Sequence, residues 1–350
     1  MELGVYSFAE TVPYPGGTAP TITAAERVRE IIEEIEIADQ VGLDVYGLGE
    51  HHRKEFAVSS PAIVLAAAAA RTSHIRLTSA TTVLGSADPV QVFQEFATLD
   101  LVSGGRAEIM AGRGAFTESF PLFGYRLEDY AQLFSEKLDL LLRLRDNDAV
   151  SWSGKFRPAL HDQPVFPRPV QHRLPVWVGV GGNPDSARRA GAAGLPMALA
   201  VIAGDVRRSA PLAEAYRAAA AAGGHSQSAR ISINSHGYVA ATTKQAIDDS
   251  YPGFIEGMHA FLGTPRQMLP SREHYAQELD INGALIAGSP EQVAEKIIHQ
   301  QRLFGHDRTL LQFSVGTLPH RHVLDAIELL GTKVAPIVRT ELSRSSRQSS

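Results

Sequence analysis

Residues 75–114, IRLTSATTVLGSADPVQVFQEFATLDLVSGGRAEIMAGRG, contain a complete strand–helix–strand repeat. The apolar run at 75–84 predicts a strand, and Asp88, followed by proline, predicts the start of a helix that continues to about Val102. A second apolar run at 106–111 predicts the next strand. Because this order of elements is typical of neighbouring parallel strands, the stretch predicts an α/β fold.

The same alternation continues in both directions along the chain and predicts eight strands. They lie at 3–8, 45–48, 75–84, 106–111, 176–180, 197–202, 231–239 and 310–315. Helical patterns separate them, as at 26–41, where apolar residues recur at helical spacing. Eight such units favour a closed (β/α)8 TIM barrel, and a doubly wound open sheet is the alternative.

The 350 residues agree with a single barrel domain, which we assign to 1–340. Two excursions interrupt the alternation, at 146–175 after the fourth predicted helix and at 242–289 after the seventh predicted strand. Such long connections are typical of lids or binding loops, and added surface structure or an oligomer contact is the alternative. Residues 341–350 are polar and low in complexity, which predicts a disordered tail.

The composition excludes several classes of function. The chain has no cysteine, which rules out disulfides, thiolate metal sites and cysteine nucleophiles. A net charge of -5 offers no cationic field for nucleic acid or anionic lipid. We find no signal peptide before the first predicted strand and no apolar stretch long enough to span a membrane, so we expect a cytoplasmic protein.

Polar and glycine-rich residues follow several predicted strands, at the end where barrel enzymes carry their active sites. Glu50-His51-His52 follows the second strand. Adjacent side chains on a strand point to opposite faces, so we expect only one of the two histidines to reach the site. Such a histidine can act as an acid or base, and a hydrogen-bonded structural histidine is the alternative. No metal-ligand spacing accompanies it.

A phosphate site is predicted after the fifth strand. Gly181 and Gly182 carry no side chains to block a ligand, and Pro184 opens a helix whose N-terminus favours an anion. Arg113, after the fourth strand, can add a charge-assisted contact. The alternative is a tight turn that only requires glycine.

These residues and several others resemble the bacterial luciferase family. The resemblance covers 1–338. The matching segments are Glu50-His51-His52, EFATLDLVSGGR at 95–106, Arg113-Gly114, GLPM at 194–197 and GSPE at 288–291. The family implies a TIM barrel that binds an FMN-type flavin across its mouth, commonly as a homodimer.

The resemblance also implies roles for individual residues. His51 matches the catalytic histidine, which assists proton transfer in the reaction of flavin with oxygen. Ala80 and Thr81 match the site of a non-proline cis peptide beneath the flavin ring, and Arg113 matches a phosphate-binding arginine. Gly112 stands where luciferase has a cysteine. The hydroxyl contacts of relatives are replaced by Gly181, Gly182 and Pro184, so phosphate would rest mostly on backbone N–H groups, with Ser186 as an additional contact.

The sequence therefore predicts a flavin-dependent oxidoreductase. The first hypothesis is a monooxygenase that uses reduced FMN, supplied by a separate flavin reductase, and oxygen on a small organic substrate. A deazaflavin-dependent dehydrogenase on the same barrel is the second. A non-catalytic flavin-binding protein and a metal-dependent barrel hydrolase remain as further alternatives.

Overall fold

Eight parallel strands close into a barrel in the computed structural model, which describes residues 1–12, 22–114 and 116–348. The described strands are β1 (Glu2–Ser7), β2 (Val45–Leu48), β3 (Arg76–Ser79), β4 (Thr82–Val83), β5 (Ala107–Gly112), β6 (Ala149–Trp152), β7 (Leu160–Pro164), β8 (Val176–Val180), β9 (Met197–Ala200), β10 (Ile231–Val239), β11 (Ile286–Gly288) and β12 (Arg308–Gln312). The barrel order is β1-β2-β3-β5-β8-β9-β10-β12, and β12 pairs with β1 to close it. The predicted TIM barrel is confirmed.

Helices surround the strands on the outside. They are α1 (Ala24–Gln40), α2 (Pro61–Ala69), α3 (Pro89–Ser103), α4 (Ser119–Leu122), α5 (Tyr130–Asp146), α6 (Pro184–Ala192), α7 (Ala210–Ala222), α8 (Thr243–Leu262), α9 (Arg272–Gln277), α10 (Pro290–Phe304), α11 (His320–Leu329) and α12 (Ala335–Gln348). Side-chain caps begin several of them. Asp88 accepts the N–H of Val90 before α3, and Thr23 forms a capping box with Glu26 before α1.

Both predicted excursions are present and contain regular secondary structure, whereas the C-terminus differs from the sequence prediction. The first excursion contains the antiparallel hairpin β6–β7, and the second contains α8, α9 and β11. The last helix, α12, continues to Gln348, whereas the sequence predicted a disordered tail from residue 341. An ion pair between Arg344 and Glu341, one helical turn apart, accompanies the helical conformation there. Residues 349 and 350 lie outside the described part of the chain.

An ion network crosses the interior of the barrel at the N-terminal end of its strands. Arg308 of β12 donates from Nη1 to Oε2 of Glu108 on β5 at 2.7 Å and from Nε to Glu2 on β1 at 2.7 Å. Arg76 of β3 also pairs with Glu108. The Arg308 side chain is 0% exposed and that of Glu108 is 3% exposed, so each charge depends on its partner. The guanidinium of Arg308 also lies 4.4 Å from the ring centroid of Trp177.

Glu108→Ala should strongly destabilise the protein, because it leaves the buried Arg308 without its main counter-charge. We expect the free energy of unfolding, measured by urea denaturation, to fall by about 3–5 kcal/mol. Asp325→Ala is the matched control, since Asp325 pairs with Arg321 on the surface and should cost less than about 1 kcal/mol. Equal losses for both variants would contradict the proposed importance of the buried network.

Candidate active site

His51 lies in a cluster of aromatic rings beyond the C-terminal end of β2. Its ring stacks on Phe56 with centroids 4.2 Å apart and meets the edges of Phe8 and Phe116 at 4.7 and 5.4 Å. Phe261, at the end of α8, stacks on the far side of Phe56. The second excursion therefore supplies part of the cover over this histidine.

The imidazole of His51 is neutral at ordinary pH. Burial, with the neighbouring His52 and Arg53 as smaller causes, lowers its pKa to about 3. Its Nε2 atom is buried and has no hydrogen-bond partner among the described residues. A buried polar atom of this kind is costly to leave unpaired, so the arrangement suits a group that bonds to a ligand.

Glu50 links the turn after β2 to the neighbouring strand. One carboxylate oxygen accepts the N–H of Val83 at 2.9 Å, and the other pairs with Nε2 of His52 at 2.9 Å. His52 thus points away from His51 and lies against the ring of Phe123. His51 joins the aromatic cluster and His52 does not, although both lie beyond the end of β2.

The peptide bond between Ala80 and Thr81 is cis, at the break between β3 and β4. The Thr81 side chain occupies the space above two glycines: a Cβ atom added to Gly112 would lie 2.4 Å from its Oγ1, and one added to Gly179 would lie 3.3 Å from its Cγ2. Gly112 is buried, and its lack of a side chain makes room for Thr81.

The fourth and fifth barrel strands bring Arg113 and the start of α6 together. Arg113 donates from Nη2 to the hydroxyl of Ser186 at 3.3 Å, and its guanidinium lies 5.2 Å from the ring centroid of Tyr130. Gly181 and Gly182 form the exposed turn before α6, where an added Cβ would meet no atom within 4 Å. Gly182 has φ of 93°, which glycine adopts without strain.

Arg53 connects this end of the barrel to the second excursion. It donates to the backbone carbonyl oxygens of Phe261 and Ala260 at 3.1 and 3.4 Å, and its guanidinium lies 4.5 Å from the ring centroid of Phe116. The clamp holds the end of α8 beside the His51 cluster.

The sequence analysis missed a buried carboxyl group after β1. Glu10 is 0% exposed and accepts hydrogen bonds from Nε2 of Gln312 at 2.7 Å and from the hydroxyl of Ser314 at 3.1 Å. Burial raises the pKa of Glu10 to about 7, although the nearby charge of Arg27 opposes this shift. Its place directly after the first strand was the available signal, because that strand end also lies at the barrel mouth.

His236 on β10 was missed as well. In the parallel register it lies opposite Gln312 of β12, which in turn lies opposite Tyr6 of β1. Tyr6 belongs to the cluster of side chains that fills the barrel interior. These three residues therefore form one inward-facing layer near the mouth.

No three His, Asp or Glu side chains come close enough to hold a metal ion in the described part of the chain. Within the same residues, no helix is long and apolar enough to cross a membrane.

A family profile described as luciferase-like monooxygenase matches residues 1–307. The chain belongs to this family. The resemblance inferred from Glu50-His51-His52 and its companion motifs is thereby confirmed, and the protein is an enzyme of the luciferase-like class.

Solved structures share the fold over nearly the whole chain. Monooxygenase RslO1 from Streptomyces bottropensis has a TM-score of 0.84 and 23% identity, covering 96% of this chain and 99% of its own. The oxygenating constituent of 3,6-diketocamphane monooxygenase from Pseudomonas putida, solved in complex with FMN, has a TM-score of 0.77 and 20% identity, with coverages of 97% and 98%. At these identities the likeness establishes the fold alone.

Sequence relatives include both oxygen-using and deazaflavin enzymes. The 4-hydroxyprotoasukamycin monooxygenase of Streptomyces nodosus is 27% identical over 87% of this chain and 85% of its own length. The F420-dependent glucose-6-phosphate dehydrogenase of Amycolatopsis mediterranei is 30% identical, over 47% and 51%. The oxygenase component of flavin-dependent trigonelline monooxygenase from Acinetobacter baylyi is 29% identical, over 43% and 42%. The last two matches span about half of each chain or less.

Glu10→Gln should change how stability depends on pH. Because burial raises the pKa of Glu10 from 4.5 to about 7, its ionisation in the folded protein opposes folding as the pH rises through this range. We expect the free energy of unfolding of the variant, relative to wild type, to increase between about pH 5 and pH 8, by on the order of 3 kcal/mol at most.

Urea denaturation at several pH values measures this difference. Glu214→Gln is the control, because Glu214 is exposed and the same substitution there should leave the difference flat. A flat profile for Glu10→Gln would show that Glu10 does not titrate in this range.

Proposed function

We propose that the protein is an FMN-dependent monooxygenase that uses reduced flavin and oxygen on a small organic substrate. The observation that carries the proposal is that Arg113, bonded to Ser186 beside the open turn at Gly181 and Gly182, lies at the same end of the barrel as His51. A single bound FMN would place its phosphate at Arg113 and its ring near His51.

Small residues lie on one side of the barrel mouth. Thr81 lies at the break between β3 and β4, Gly179 on β8 and Ala200 on β9, and all three are at least partly accessible to solvent. The opposite side carries the bulkier layer of Tyr6, Gln312 and His236. A ring that lies on the small residues would rest beside the cis peptide at Ala80 and Thr81. The residues present therefore fit a flavin.

The start of α6 fits a phosphate group. The helix N-terminus supplies a partial positive charge, Arg113 supplies a full one, and Ser186 supplies a hydroxyl. Asp185 also lies in this first turn, but its carboxylate pairs with Arg188 at 2.7 Å, which offsets its repulsion of an anion. The glycines leave the approach to this turn open.

Reduced flavin, when bound, supplies the electrons for the reaction with oxygen. The chain's own contribution is a neutral imidazole at His51, whose free Nε2 can hold or move a proton at the reacting centre. The rings of Phe8, Phe56 and Phe116 pack against this imidazole, which limits the access of water to it. The aromatic cluster thus keeps water away from the imidazole that holds or moves the proton.

A deazaflavin-dependent dehydrogenase is the second candidate, favoured by the match to the F420-dependent glucose-6-phosphate dehydrogenase. The same anion site would serve a phosphate of either cofactor. A non-catalytic flavin-binding protein is less well supported, because it has no need of the unpartnered His51 Nε2 beside the ring site.

We also propose a homodimer and a separate flavin reductase as partners. Ile63 on α2 and Leu101 and Val102 on α3 are 70%, 47% and 50% exposed and lie on neighbouring helices. An exposed apolar face of this kind suits a second copy of the chain. The named oxygenase component among the relatives supports a reductant delivered by another protein.

FMN binding tests the proposal directly. In a fluorescence titration with FMN, riboflavin, FAD and deazaflavin F420, we expect tight binding of FMN and weaker binding of riboflavin, which lacks the phosphate. Arg113→Ala should weaken FMN binding about 10- to 100-fold, as expected for a hydrogen bond to a charged group, and leave riboflavin binding unchanged. Arg321→Ala, at an exposed position, is the control.

Selective binding of deazaflavin would instead favour the dehydrogenase. Failure of every flavin to bind, oxidised or reduced, would remove the proposed function while the barrel remained.

His51→Ala should reduce turnover with little effect on FMN affinity, because the imidazole acts on the reaction and not on the phosphate. Once an oxygen-consumption screen identifies a substrate, we expect kcat to fall about 100-fold or more. His172→Ala, at an exposed position, should have normal kcat. Unchanged turnover in His51→Ala would falsify the catalytic assignment.

A further inference from the structure

A cavity of about 150 Å³ lies between the second excursion and the barrel strands β9 and β10. Apolar side chains make most of its wall, and one imidazole reaches it from the barrel. The principal lining residues are Ile202, His236, Phe254, Met258, Tyr275 and Leu285. The cavity wall is thus mostly apolar, and the imidazole of His236 is one of its polar groups.

Two other polar groups of the wall make hydrogen bonds within the protein. The Tyr275 hydroxyl shares a hydrogen bond with Ser250 at 2.8 Å. The Glu278 carboxylate accepts the N–H groups of Gly204 and Ala284 at 3.2 and 3.4 Å. His274 is exposed at the rim. The Tyr275 hydroxyl and one oxygen of Glu278 are therefore already bonded within the protein.

His236 differs from them. Its Nδ1 is buried and makes no hydrogen bond to any residue that the structure describes, and the ring of Phe254 meets it edge-on at 6.1 Å. A buried ring nitrogen without a partner is unfavourable unless a ligand or solvent supplies one. The His236 ring as a whole lines the cavity and is partly accessible, so its imidazole can give or receive a hydrogen bond there.

The cavity adjoins the proposed reaction site. His236 faces the barrel interior in the same layer as Gln312 and Tyr6. A molecule in the cavity would therefore sit at the edge of the mouth, across from the small residues proposed to carry the flavin ring.

Charge and size restrict what can bind. Burial lowers the pKa of His236 to about 4, so at neutral pH the ring is uncharged and offers no counter-charge to an anion. Glu278 in the wall also disfavours an anion. Apolar protein cavities of about 150 Å³ accept molecules the size of benzene.

We propose that this cavity binds a neutral, compact, apolar molecule about the size of one six-membered ring, whose single oxygen function hydrogen-bonds to His236. As the substrate class of the enzyme, this inference rests on the proposed function. As a binding site, it stands on the cavity and the unpartnered imidazole alone.

Phenol, benzene and benzoate are suitable probes, because they share a ring and differ in their polar group. We would titrate the full-length protein with each, following the His236 ring signals by NMR and the heat of binding by calorimetry. Phenol should bind about 5- to 10-fold more tightly than benzene, as one hydrogen bond predicts, and benzoate should bind more weakly than phenol.

His236→Leu should abolish the preference for phenol over benzene and retain benzene binding, since leucine keeps the cavity apolar. His274→Leu is the matched control and should keep the preference. Met258→Phe, which fills part of the cavity, should weaken phenol and benzene together. Circular dichroism and melting temperature would establish that each variant is folded.

Equal affinities for phenol and benzene in wild type, an unchanged preference in folded His236→Leu, or tightest binding of benzoate would each overturn the inference. None of these measurements needs flavin. Phenol binding without FMN binding would therefore overturn the proposed function and leave this site standing, and the reverse result would do the opposite.

Discussion

The closed barrel depends on a buried charge pair that joins opposite strands through its interior. Arg308 of β12 bonds to Glu108 of β5 and to Glu2 of β1, so one guanidinium connects the last strand of the chain with the first and with a strand on the far wall. The desolvation of these charges is offset only when all partners are in place. The network joins strands at the N-terminal end of the barrel, and the candidate active site lies at the C-terminal end.

At the C-terminal end of the barrel, the two halves of the mouth differ in the size and polarity of their side chains. One half presents Thr81, Gly179 and Ala200, and the other presents Tyr6, Gln312 and His236. Small residues permit close approach of a flat ligand, whereas the larger polar side chains offer directed hydrogen bonds. A cofactor and a substrate can therefore occupy the same opening without competing for the same groups.

Alternating apolar runs were sufficient to predict the barrel, because eight strand–helix units have few other ways to bury their apolar faces. The motif at Glu50-His51-His52 likewise led to the correct family. What the sequence could not provide was contact between distant segments: Phe261 over Phe56, Glu10 beside Gln312, or the cavity at His236. The helices of the second excursion were missed for the same reason, since their place is determined by docking onto the barrel. The roles of Arg113, Gly181 and Gly182 stay predictions.

The clamp made by Arg53 has a consequence for how the enzyme can diversify. Its two hydrogen bonds end on backbone carbonyl oxygens of Ala260 and Phe261, which every amino acid possesses. The excursion can therefore exchange the side chains that line its cavity while the attachment to the barrel persists. The residues that determine specificity can therefore change independently of the residues that hold the reaction centre.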